Sequence, residues 1–176
     1  MLIDDFRSEF QRYRSLGERA LSQTPDEALN IVPSLEGNSL AMIVRHVGGN
    51  LVSRFTDFLT TDGEKPDRDR DREFETTSYT RAEVSAWWAS GWTAVESALA
   101  GLDDGTLTAT VTIRQQPLSV HAALSRSMTH IAYHVGQMVL LARIHAAGPW
   151  QSLSIPRGQS DAFNRRLAME NQPPRR

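Results

Sequence analysis

The run Thr129-His130-Ile131-Ala132-Tyr133-His134-Val135-Gly136-Gln137 sets two histidines four residues apart in a segment with helical periodicity. Residues at that spacing share a helix face, with Cβ atoms about 6 Å apart, so two imidazoles can grip one ion. A third imidazole, His46, lies in another helical segment beside Ile43 and Val47. Three neutral imidazoles without a thiolate leave coordination positions open, as catalytic metal sites do. On spacing alone two readings stand: a metal site, or hydrogen-bonded histidines on a buried stripe.

Helix geometry sorts the remaining candidates. At about 100° per residue, His121 turns to the face opposite His130. His145 shares the azimuth of His134 but sits roughly 16 Å further along the axis, in a last turn where positive charge suits the helix dipole. Gln137 follows His134 by one turn, and Asn50 follows His46 by one turn. Either could orient an imidazole through its second nitrogen or accept an ordinary interhelical hydrogen bond. Arg45 and Arg54 are candidates for holding an anionic substrate, or surface and helix-pairing charges. Tyr133 lies beside the pair, about a quarter-turn away. Gly136 offers close helix approach or room near an ion. The chain has no His-Glu-x-x-His, no phosphate-loop Lys-Ser/Thr after Gly48-Gly49, and no Gly-x-Ser-x-Gly. No carboxylate stands at a spacing that ties it to the histidines.

Four helical segments must position these groups. The first spans about Ile3 to Leu21. The second starts at Asn38-Ser39, with Ser39 a good N-cap, continues through Phe58, and ends at Thr61-Asp62-Gly63. The third opens on Thr80 and Glu83, a capping box, carries Trp87, Trp88 and Trp92, and stops at Gly101. The fourth spans about Ser119 to His145 and ends by Gly148-Pro149. Between the last two, residues 106–113 alternate polar and apolar and read as a short strand, pairing with Leu118-Ser119-Val120 as a hairpin. The alternating charges Asp67 to Arg72 read as a solvated, self-paired loop, with a gate over a site as the other reading. The tail from Trp150 onward reads as irregular, with about 165–176 loose and Pro173-Pro174-Arg175-Arg176 frayed. The expected fold is all-α, one domain over residues 1–176: a four-helix bundle, which commonly builds metal sites from inward-facing side chains.

Composition narrows the function. The chain has 176 residues, 40% hydrophobic and 23% charged, with a formal charge of −2 and no cysteine. That charge argues against nucleic-acid binding. No apolar run reaches the ~20 residues that cross a bilayer, and the start Met1 to Arg7 is charged too early for a signal peptide. Cysteine nucleophiles and thiolate ligands are excluded outright, and a cytoplasmic location is expected.

One histidine in the second helix followed by His130-x-x-x-His134-x-Gly136-Gln137 in the last resembles the DinB/YfiT-like metalloenzymes, within them a bacterial branch with no assigned reaction. The stretches Asn38–His46, Thr56–Pro66 and Trp150–Ser160 carry the likeness, which covers most of residues 38–164. The resemblance implies a four-helix bundle, often dimeric, with a divalent ion on His46, His130 and His134. It also implies chemistry of the kind run by relatives that use bacillithiol or mycothiol. Here an external low-molecular-weight thiol would be required, because the chain has none. Zn²⁺ suits three imidazoles, and Ni²⁺, Fe²⁺ and Mn²⁺ are also compatible. A metal-dependent hydrolase and a non-catalytic, stress-related metal- or ligand-binding protein are the competing readings. A homodimer is expected from the resemblance and from the tryptophans of the third helix.

Overall fold

The computed structural model describes residues 1–170, so the expected fraying of Pro173–Arg176 lies outside the described residues. Among the described residues there are five α-helices: α1 (Leu2–Leu21), α2 (Leu40–Phe55), α3 (Arg81–Ala100), α4 (Val120–Ile144) and α5 (Ser160–Glu170). The first four form the bundle, with α2 set against both α3 and α4, and α1 against α4. The start signals act as their chemistry requires. Ser39 Oγ accepts the Met42 N–H, Ser119 Oγ accepts the Ala122 N–H, and Thr80 and Glu83 cap α3 reciprocally. Among the described residues no helix is long and apolar enough to cross a membrane.

Three boundaries differ from the sequence reading. Helix α2 stops at Phe55, not at residues 61–63; Asp57 takes a positive φ of 49° and the chain turns there. Phe58 kept the apolar period because it packs on Phe55 from that turn, the two rings stacked at 5.4 Å. Residues 106–108 form a short 3₁₀ turn, so β1 spans Thr110–Ile113 and pairs antiparallel with β2, Gln116–Ser119. The tail is not irregular throughout, since α5 occupies residues 160–170. None of its residues is buried, so no apolar stripe announced it.

The core explains why the histidines point inward. Helix α2 is buried almost all round, with Val44, Val47 and Leu51 fully enclosed, so His46 has no solvent to reach. The tryptophans are largely consumed within the chain. Trp88 and Trp92 are buried, and Trp87 packs edge-on against Tyr79. They leave little apolar surplus on α3, which removes that ground for a dimer.

Helices α2 and α3 meet at glycines. A Cβ on Gly48 would lie 2.5 Å from the Trp87 carbonyl oxygen, and one on Gly91 would lie 3.0 Å from Gly48 Cα. That oxygen belongs to backbone and cannot swing aside. Gly48→Ala is therefore expected to destabilise the fold by about 1–3 kcal/mol, lowering the thermal midpoint by roughly 2–4 °C per kcal/mol. An unchanged midpoint would mean that α2 and α3 stand further apart. Gly136, by contrast, faces open space and serves neither helix approach nor the site.

Candidate metal centre

His46 projects from α2, and His130 and His134 from α4, into the seam between these helices. One ring nitrogen from each lies within 4.8 Å of the other two. His46 Nε2 and His134 Nε2 are each 3.2 Å from His130 Nε2. The opposite nitrogens fix the tautomers. His46 Nδ1–H donates to Glu73 Oε2 at 2.7 Å, and His134 Nδ1–H donates to Gln137 Oε1 at 2.8 Å. Both therefore present a bare Nε2 to the centre. His130 Nδ1 is buried without a partner. Its Nε2 can carry at most one proton, which cannot satisfy two facing lone pairs. Burial, with His134 and His46 nearby, pushes His130 down to about 3, so an imidazolium does not resolve the conflict at neutral pH. Three converging acceptors short of donors are what a cation satisfies, and the residues present fit a divalent ion.

Glu73 is the group that sequence reasoning missed. It comes from a short 3₁₀ turn, Asp71–Phe74, and is buried. Arg68 donates to both its oxygens at 2.8 Å through Nε and Nη2. Burial pushes the Glu73 carboxyl up, but the hydrogen bonds from His46 and Arg68 outweigh it and hold the pKa below the usual value. The charged run 67–72 is thus not simply a solvated loop, because the Arg68 side chain is buried at the centre's back wall. Gly49 makes the space, since a Cβ there would sit 2.4 Å from Glu73 Oε1. That close approach accounts for a glycine after Gly48 with no phosphate loop around it.

The other candidates separate. Asn50 lines the cavity above the histidines, while the position behind His46 belongs to Glu73. Arg54 also lines the cavity, buried, bonding the Gly63 carbonyl and reaching Glu64 at 2.9 Å. Arg45 is not among the residues that line the cavity. It bonds the Arg72 carbonyl and the Tyr79 hydroxyl and lies over the Trp87 ring. Tyr133 touches His134 edge-on but is 64% exposed and outside the cavity. His121 is exposed against Phe6, away from the triad. The cavity holds about 190 Å³, and Ile113 is the one hydrophobe among its lining residues. It is a polar chamber rather than a partly apolar cleft.

The site has a definite acid response. His130 and His134 are depressed, chiefly by burial, and Glu73 is lowered. Below the unfolded histidine value of about 6.5, the unfolded chain binds protons that these imidazoles refuse. Stability is thus full above that value and falls as pH drops toward 3, and Glu73 adds loss of the same sign below the ordinary carboxylate range. The thermal midpoint of metal-free protein is expected to fall steadily from pH 7 to pH 4. A flat profile would contradict the buried, neutral histidines.

Comparison with known proteins places this architecture. Residues 1–159 match the family described as "Protein of unknown function (DUF1572)". The chain belongs to this family. No curated protein matches this DUF1572 chain. Among solved structures, a DinB-like protein from Bacillus cereus ATCC 10987 superposes with a TM-score of 0.63 at 18% identity, covering 85% of this chain and 97% of that one. A DinB-like protein from Bacillus subtilis, YjoA, gives 0.51 at 14% identity, covering 83% and 96%. At these identities the likeness establishes a DinB-like fold for the DUF1572 chain.

Proposed function

We propose that the protein is a divalent-metal-dependent enzyme of transferase type, using an external low-molecular-weight thiol. The observation that carries this reading is the convergence of three imidazole Nε2 atoms with at most one proton to share among them, beneath a chamber open to a small molecule. His46, His130 and His134 would hold the ion, Zn²⁺ or Ni²⁺ first and Fe²⁺ or Mn²⁺ next. Such an ion lowers the pKa of a coordinated thiol or water, supplying a nucleophile at neutral pH. The chain's own groups prepare this. Glu73 and Gln137 keep the outer nitrogens protonated, so the inner ones are free. Overall, the thiol's S–H bond breaks, a bond forms from sulfur to the electrophilic carbon, and the leaving group departs with its electron pair. The thiol proton passes to solvent. A cytoplasmic setting, where small thiols stay reduced, belongs to the same proposal.

The test is turnover by metal-loaded protein. Loss of free thiol in the presence of small electrophiles, abolished by chelation, supports the reading. Turnover without thiol favours a hydrolase, and metal uptake with neither activity favours a binding protein. A homodimer is part of the proposal, supported by Tyr133, Leu140 and Ile144 exposed along one face of α4. A monomer by light scattering at all concentrations would remove it.

A further inference from the structure

Five arginines wall the chamber above the histidines: Arg54, Arg68, Arg70, Arg114 and Arg126. They arrive from four parts of the chain, namely α2, the 67–72 run, the β1–β2 turn and α4. Carboxylates engage only some of this charge. Glu73 takes Arg68, and Glu64 is shared by Arg54 and Arg114. Arg70 has only an exposed approach to Asp71 at 3.8 Å. Arg126 has no carboxylate partner among the described residues. Glu64 and Glu73 engage Arg54, Arg68 and Arg114, and Asp62 and Asp71 stand at the rim, so Arg70 and Arg126 are the least neutralised of the five cations around one small cavity. The whole chain carries −2, so the concentration of cations is local. Arg70, Arg114 and Arg126 keep exposed side chains at the cavity's mouth, where their like charges repel one another and an entering anion would meet them first.

The β1–β2 turn adds a second, independent sign. Its two central residues, Arg114 and Gln115, have φ of 53° and 62°. Such two-residue turns favour Asn-Gly, because positive φ crowds a Cβ. Here Asp62 holds the turn, accepting the Arg114 N–H at 2.8 Å and the Gln115 N–H at 2.7 Å. An arginine kept in unfavourable backbone at the mouth of a cavity is local strain of the kind found at ligand sites.

We infer that the chamber binds a small molecule through a doubly charged oxyanion, a phosphoryl or phosphonate group or a pair of carboxylates, seated between Arg70, Arg114 and Arg126. Guanidinium forks match such oxygens in plane and in pairs. The rest of the molecule would then face the imidazoles. This assignment rests on the proposed metal site for its reaction but not for its binding.

The experiment is calorimetric titration of inorganic phosphate, malonate and acetate into full-length protein, metal-free and zinc-loaded, with zinc content measured on the same samples. Phosphate or malonate is expected to bind the metal-free protein at least tenfold more tightly than acetate. Arg126→Gln and Arg70→Gln should each weaken that binding tenfold or more. Both positions carry exposed side chains, Arg70 lies outside the α-helices, and glutamine retains helix propensity at Arg126 in α4, so circular dichroism should be unchanged. The stronger of the two dianions identifies phosphoryl or dicarboxylate chemistry. The inference is overturned if neither dianion binds in either form, or if both variants bind like wild type. Zinc uptake without dianion binding defeats this inference alone. Dianion binding without zinc uptake sustains it and defeats the metal reading.

Discussion

His46→Ala is expected to empty the metal centre, with zinc content by elemental mass spectrometry falling from about one ion per chain to near zero. The size of the effect follows from where the ligands come from. His130 and His134 share α4, and His46 is the one imidazole from α2. Its loss leaves a two-histidine clip on a single helix. Loss of a ligand should exceed the roughly 10–100-fold cost of losing an outer partner of a ligand. His130→Ala should do the same, because its Nε2 stands between the other two. Retained helical circular dichroism in either variant would separate metal loss from unfolding. If His46→Ala took up as much zinc as wild type, the triad would be packing and the enzyme reading would lose its basis.

Glu73→Ala should show the largest loss of stability. It strands the Arg68 guanidinium, whose side chain is 6% exposed, and leaves the His46 Nδ1–H without its acceptor. Breaking a buried pair from one side costs about 3–5 kcal/mol. That is roughly 10 °C in midpoint for a chain of this size. The comparison must use metal-free protein, since a bound ion stabilises the native state by mass action. Glu73→Gln separates the two roles. Its amide oxygen can still accept from His46 but cannot neutralise Arg68, so zinc affinity should recover partly while stability stays low. Equal stability of wild type and Glu73→Ala would show that Arg68 finds solvent. Gly49→Ala, which places a methyl on the Glu73 carboxylate, should weaken zinc binding in the same direction.

The sequence by itself determined the bundle and singled out the three histidines, leaving a metal site and packed imidazoles both open until the family resemblance joined them as a set. The local signals were apolar residues at helical period, Ser39, Thr80 and Ser119 at helix starts, and two histidines one turn apart. His46 was legible because its neighbours Ile43 and Val47 mark the buried side of α2. Gln137 was legible for the same reason, one turn from His134. Only the tertiary structure decided what surrounds the triad. Glu73 reaches His46 across 27 residues through a connection with no hydrophobic period, so no spacing rule links them. The charged run 67–72 shows the limit most plainly. In sequence its six residues are equivalent alternating ions, yet the fold buries Arg68, aims Arg70 into the cavity and leaves Asp71 in solvent. Periodicity tells which face of a helix meets the core. Which charge in a loop is desolvated depends on where the loop closes over the bundle, and here a glycine on α2 left the space that Glu73 fills.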